Sequence, residues 1–245
     1  MQPVTVAVLA GGLGTRVRGV LGQTPKLLAP LADRPFLEYL LEWLMFFGAR
    51  RVVLCLGHRA GAIQEYLANH PGPPGLEMWP VIEPEPLGTA GALRHAMPHL
   101  RDRRVLLVNG DTFVGANLCR FHATHVAAKT EATLLCTQVP DVSRYGSVSI
   151  DADNRLQHFL EKDPSRQGTG SIYAGLILME PAMLRRIAAH AGSSLEKDIL
   201  HAMAPGSLAA MVDTYPFIDF GTPDSYAFAQ TFFKNWAAHL SGSDR

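Results

Sequence analysis

Short apolar runs alternate with segments of helical period from residue 4 to about residue 108, and few architectures accept that order. Val4–Ala10, Arg51–Leu56, 76–82 and 104–108 are rich in Val, Leu and Ile and apolar at nearly every position. A run that is apolar at successive positions, not every second one, fits a strand covered on both faces of a sheet. Between these runs lie Pro35–Phe47, which Gly48 closes in the manner of a C-cap, then 59–68 and 89–98, all with apolar residues at helical spacing. Strand and helix in strict alternation predict βαβ units: a Rossmann-like α/β fold, its mostly parallel sheet flanked by helices.

Beyond about residue 115 the pattern mixes. Thr133–Val139, Gly146–Ile150 and Ile172–Met179 read as strands. A helix is expected over 181–190 with proline in its first turn, and another after Thr222, an N-cap placed before Pro223. No repeat or long linker breaks the chain. Residues 1–240 are therefore expected to form one domain, with a larger part over about 1–115, a smaller mixed part over about 116–240, and a polar tail at 241–245.

Charge excludes one class of partner. The 245 residues carry 22 basic and 22 acidic side chains, whereas a protein that grips a polyphosphate backbone needs a basic excess, so nucleic acid is not expected. Cys55, Cys119 and Cys136 stand far apart with no C-x-x-C pair, against a disulfide framework or structural zinc and in keeping with a reducing compartment. No apolar run approaches the ~18 residues of a membrane span, and no signal-peptide pattern precedes Val4, so a cytoplasmic protein without membrane contact is expected.

The first strand empties into Leu9-Ala-Gly11-Gly12-Leu-Gly14-Thr15-Arg16. In α/β folds this position, at the carboxyl end of a strand, is where ligands bind. Glycines there let backbone N–H groups approach phosphate oxygens, although the same residues also make ordinary turns. Two familiar phosphate loops are excluded. No Gly-Lys-Ser/Thr occurs to complete a Walker loop, and a dinucleotide fingerprint started at Gly12 fails at Val17, with no acidic residue after the second strand. Ten residues on, Thr24-Pro25-Lys26 adds a cation near the loop. His122 and His125, three apart with no third ligand nearby, are expected on the surface of a helix and not at a metal. Phe228, Phe232, Phe233 and Trp236, at helical spacing, are expected in the core or at a subunit contact.

Gly11-Gly-Leu-Gly-Thr-Arg16 followed by Pro25-Lys26 resembles the signature of the sugar-phosphate nucleotidylyltransferases. Further matches follow in the family's order: Glu85-Pro-Leu-Gly-Thr-Ala-Gly-Ala92, Asn109-Gly-Asp111, Phe159-Leu-Glu161-Lys162 and Asp219-Phe-Gly-Thr-Pro223. Within the family, Arg34-Pro-Phe-Leu-Glu-Tyr39 and Tyr215-Pro-Phe-Ile-Asp-Phe-Gly221 are most similar to members that use GTP and D-glycero-α-D-manno-heptose 1-phosphate. One departure is Tyr173-Ala-Gly175, where many relatives read Asn-Ala-Gly.

The resemblance implies a nucleotidyltransferase fold, akin to glycosyltransferase A, and an enzyme that joins a sugar 1-phosphate to a nucleoside triphosphate with loss of pyrophosphate. Residues 1–115 would form its nucleotide-binding part and 116–240 its sugar-phosphate-binding part. Ala10, Gly11, Gly12, Gly14, Thr15, Arg16 and Lys26 would hold the triphosphate, while Glu83, Gly88 and Thr89 would meet the base. Glu83 favours GTP, since a carboxylate accepts both N–H groups of guanine's Watson–Crick edge. Gly146, Glu161, Lys162, Tyr173, Gly175 and Glu196 would bind the sugar phosphate, although Glu196 opens a helix and serves equally as a cap. Asp111 and Asp219 would hold Mg²⁺, a hard ion that takes one or two carboxylates and completes its shell with phosphate and water. Arg16, Lys26 and Lys162 would be the catalytic cations, because the attacking phosphate is already an anion and the barrier lies in bringing two polyanions together. Mannose 1-phosphate with GTP, an amino-sugar 1-phosphate with UTP, and a non-catalytic nucleotide-sugar-binding regulatory subunit remain open, as does a homo-oligomeric state. Intact Arg16, Lys26, Asp111 and Asp219 speak against the regulatory subunit.

Overall fold

The computed structural model describes residues 4–12, 14–160 and 162–236. Its first half follows the expected alternation: β1 (Val4–Ala10), the short α1 (Arg18–Leu21), a small hairpin of β2 (Pro30–Leu31) and β3 (Arg34–Pro35), α2 (Phe36–Phe46), β4 (Arg51–Leu56), α3 (Ala60–Asn69), β5 (Glu77–Ile82), α4 (Gly88–Ala96) and β6 (Arg104–Asn109). Then come β7 (Thr112–Val114), α5 (Leu118–Ala128), β8 (Ala132–Val139), β9 (Ser147–Ile150), β10 (Leu156–Leu160), β11 (Gly170–Met179), α6 (Pro181–Ala189), a π-turned helix over Leu195–Leu200, β12 (Ala209–Asp213), β13 (Phe217–Asp219) and α7 (Pro223–Lys234).

The main sheet runs β5-β4-β1-β6-β11-β8-β12. β5, β4, β1 and β6 pair in parallel. β11 alone opposes that direction, pairing antiparallel with both β6 and β8, and β12 is parallel to β8. The hairpin β9–β10 joins beside the first half of β11. A sheet of this sense is mostly parallel, as the continuous apolar runs require. β1 shows why they are continuous: Val4, Val6 and Val8 enter a core shared with α2, α3, α5 and α7, while Ala7 enters a second core under α4, α6 and Leu195–Leu200. β5 lies at the edge, which is where Pro80 is tolerated, since proline has no N–H for a second neighbour.

Local signals behave as their chemistry demands. Gly48 adopts φ 91° and ends α2. Thr222 accepts the Ser225 N–H at the start of α7, with proline in the first turn. Of the aromatic set on α7, Phe233 and Trp236 are buried and Phe228 is exposed. One expectation is corrected. His125 is not on the surface: it is 1% exposed, its Nδ1 lying 2.8 Å from Thr133 Oγ1 and its Nε2 3.5 Å from Glu180 Oε1. α5 turns this residue inward onto β8, and burial pushes the imidazole pKa down, favouring its neutral form.

Candidate active site

The parallel strands β1, β4, β5 and β6 end together at one rim of the sheet, and the conserved direction of their exits brings distant loops into contact there. β1 hands over to the glycine loop at Ala10. Gly14, at φ 59°, occupies the left-handed region that a side chain resists, and turns the chain into the single 3-10 turn Thr15–Val17. A methyl group on Gly14 would lie 3.6 Å from the Lys26 side chain, so loop and lysine are packed together. β6 exits at Asn109-Gly110-Asp111, tied to β1 by the Gly110 N–H donating to Leu9 O at 2.8 Å.

Lys26 Nζ then meets Asp111 Oδ2 at 2.8 Å. The second carboxylate arrives on the two-stranded ribbon β7–β13, in which Asp219 stands opposite Thr112, the neighbour of Asp111. Asp219 Oδ1 accepts the Gly221 N–H at 2.8 Å. Burial raises its pKa and the charge of Asp111 raises it further, against the opposite pull of Lys26 and Lys162. Arg144 Nη2 lies 3.9 Å from Asp219 Oδ2, and a methyl on Gly221 would come within 3.4 Å of Arg16 Nη2. Two carboxylates therefore sit among four basic side chains. Among the described residues no group of three or more His, Cys, Asp or Glu could enclose a metal by itself. A carboxylate pair with cations around it instead suits an ion that completes its shell from phosphate oxygens and water.

Two cavities open at Asp111. One, of about 350 Å³, is lined by Ala10, Gly11, Gly12, Lys26, Glu83, Gly88, Thr89 and Asp111. The other, of about 400 Å³, is lined by Arg16, Gly146, Lys162, Tyr173, Gly175 and Asp219, again with Asp111. Asn109, Asp111 and Glu196 belong to both. Most sequence candidates thus line one or the other of these cavities. Arg16 lines the second cavity and not the first, Gly14 and Thr15 line neither, and Glu161 lies outside the described residues. A larger hollow of about 490 Å³, between α2 and α3, holds none of the candidates.

Several candidates have structural work that sequence alone did not disclose. Glu83 Oε2 accepts the Leu87 N–H at 2.9 Å, and a methyl on Gly11 would lie 2.7 Å from Glu83 Oε1, so Gly11 makes room for that carboxylate. The same charge, after burial, helps push the Cys55 thiol up to about 12. Gly175, at φ 84°, is the bulge that lets β11 pass Asn109, whose Nδ2 would be 3.0 Å from a methyl placed there. The Tyr173 ring faces Phe159, and its buried hydroxyl has no hydrogen-bond partner among the described residues. Burial and the Glu196 charge hold that phenol far above its ordinary pKa. Asn109, Tyr145 and Ser194 line the second cavity without having been singled out. Asn109 could have been found from its place at a strand exit; Tyr145 lies in an irregular segment that offers no such signal.

The sequence profile described as Nucleotidyl transferase matches residues 5–235. The chain belongs to the nucleotidyl transferase family. This nucleotidyl transferase is 34% identical over 226 residues to the D-glycero-alpha-D-manno-heptose 1-phosphate guanylyltransferase of Aneurinibacillus thermoaerophilus, covering 91% of the chain and 95% of that relative. It is also 34% identical over 225 residues to mannose-1-phosphate guanylyltransferase catalytic subunit beta of Drosophila pseudoobscura pseudoobscura, covering 89% of the chain and 59% of that longer protein. Among solved structures, HddC from Yersinia pseudotuberculosis complexed with GMP-PN superposes with a TM-score of 0.82 at 32% identity, covering 94% of this chain and 99% of that one. The α/β expectation, the family and an enzymatic role are borne out together. No helix among the described residues is long and apolar enough to cross a membrane.

Proposed function

We propose that this nucleotidyl transferase condenses D-glycero-α-D-manno-heptose 1-phosphate with GTP, giving the GDP-sugar and pyrophosphate. The observation that carries the reading is the meeting of two cavities at Asp111, with Lys26 in contact with it and Asp219 beside it. The two relatives that guide the choice of base are both guanylyltransferases, and one acts on a heptose 1-phosphate over nearly its full length.

In this reading the nucleotide occupies the cavity of Gly11, Gly12, Glu83 and Lys26, and the sugar phosphate the cavity of Lys162, Gly146 and Glu196. An oxygen of the sugar phosphate attacks the α-phosphorus, the new P–O bond forms, and the bond from that phosphorus to the bridging oxygen of pyrophosphate breaks with its electrons. No proton leaves the nucleophile, which accounts for a site rich in cations and without a general base. Lys26 steadies charge at the α-phosphate, Lys162 draws in the sugar phosphate, and Arg16, from the rim of the second cavity, adds a third positive charge against repulsion between the substrates. Asp111 and Asp219 would hold Mg²⁺, which when bound neutralises phosphate oxygens and fixes their geometry.

Four nucleoside triphosphates crossed with heptose, mannose and N-acetylglucosamine 1-phosphates, scored by pyrophosphate release with and without EDTA, test this. Release is expected with GTP and the heptose phosphate and is expected to vanish in chelator. Faster turnover of mannose 1-phosphate would move the assignment to the second relative's chemistry, and activity that survives EDTA would remove the metal role.

A further inference from the structure

We infer that Thr89 serves the sugar side of the site, not the nucleotide, by positioning the carboxylate of Glu196. The inference rests on the reading above that Glu196 meets a sugar hydroxyl. Thr89 stands in the first turn of α4, where the family resemblance would aim it at the base of the nucleotide. Its hydroxyl has one proton, and that proton goes to Glu196 Oε2 at 2.8 Å. Thr89 Oγ1 in turn accepts the Leu195 N–H at 2.7 Å. An acceptor on the base or a phosphate needs a donor, and Thr89 has none left to give it.

The neighbouring contacts make this a fixed joint. The Ala90 N–H donates to Ser193 O at 2.8 Å, and Gly88, at φ 74°, passes so close that a methyl there would lie 2.5 Å from the same oxygen. Ser194 Oγ adds a weaker bond to Glu196 Oε2 at 3.3 Å. Both hydroxyls hold Oε2, which leaves Oε1 for a ligand. Glu196 lines both cavities, so its carboxylate stands at the boundary where a sugar hydroxyl would be read next to the reacting phosphates. An acceptor fixed in this way discriminates by position: a free carboxylate on a flexible segment would accept from almost any hydroxyl within reach.

The test compares Thr89→Val, Thr89→Ser and Glu196→Gln, using GTP with whichever of the heptose and mannose 1-phosphates the wild type turns over faster. Loss of one charge-assisted hydrogen bond is expected to raise the KM for the sugar phosphate about tenfold or more in Thr89→Val and Glu196→Gln. The KM for GTP should stay within about twofold, and Thr89→Ser should recover the wild-type value, since serine keeps the hydroxyl. Should Thr89→Val fail to fold, Thr89→Ala carries the same expectation. A rise in the GTP KM in place of the sugar KM would return Thr89 to the nucleotide and overturn the inference. A raised sugar KM in Glu196→Gln alone would overturn it while leaving the role of Glu196 standing. No change in either variant would overturn both.

Discussion

Replacing Lys26 with alanine separates the catalytic from the structural value of one ion pair. At 2.8 Å, with an effective dielectric near 20, the Coulomb attraction to Asp111 is about 6 kcal/mol before any offset. The offset is large. Asp111 is 38% exposed and Lys26 16%, so water screens the pair and the lysine must give up hydration and rotamer freedom to make it, leaving about 1 kcal/mol or less of net stability. In a chain of this length that corresponds to a fall in Tm of about 2–4 °C. Turnover should suffer far more, because a preorganised cation at a phosphate where charge shifts is worth about 100- to 1,000-fold. Pyrophosphate release under saturating GTP, paired with calorimetry on the same preparation, measures both. A variant that kept activity within about tenfold of wild type while its Tm dropped by more than about 10 °C would show that Lys26 holds the loop together and does no chemistry.

The remaining predictions concern neighbours of that pair. Asp219→Asn should abolish most activity yet raise Tm at pH 7.5: a carboxyl whose folded pKa is raised binds its proton more tightly when folded, so its contribution to stability grows as pH falls and is lost as pH rises through the folded pKa. The Tm gap between Asp219→Asn and wild type should accordingly close as pH is lowered toward the ordinary carboxylate range, and a constant gap across melts from pH 4 to 8 would contradict the burial argument. Tyr173→Phe removes a buried hydroxyl that has no partner among the described residues, so its Tm should equal or exceed that of wild type; a loss above about 1 kcal/mol would mean that the hydroxyl is bonded in solution. Gly88→Ala must strain a backbone at φ 74° and meet Ser193 O, and is expected to cost about 2 kcal/mol or more, seen as a lower urea midpoint. An unchanged midpoint would show that the two segments can part freely.

β1, α2, β4, α3, β5, α4 and β6 were legible because each is long enough to show its period and has glycine or proline near an end, whereas α1, β2 and β3, of two to four residues, showed none. β7 and β13, with three residues apiece, are too short for any period, and β12 has only five. The position of Asp111 followed from the exit of β6, whereas Asp219 could be paired with it only through the family's order of motifs, since register between residues 112 and 219 is invisible in the text. The contacts of Thr89 were hidden for a similar reason: its partners lie more than a hundred positions away, at Leu195 and Glu196. His125 misled because polar character says where a side chain is cheap to put, and here Thr133 and Glu180 make the interior acceptable.

The ribbon of β7 and β13 has a consequence for how the protein comes into being. The two carboxylates of the pair stand 108 positions apart, so Asp111 leaves the ribosome well before Asp219. A growing polypeptide that has not yet reached Phe217 already contains the segments of β1, β4, β5 and β6, the glycine loop, Lys26 and Asp111. It lacks the second carboxylate, Asp219. On the proposed reading, capture of a metal by the pair would wait until Asp219 has been made, and a product that stopped before it would have the hollow of Gly11 and Lys26 with one carboxylate.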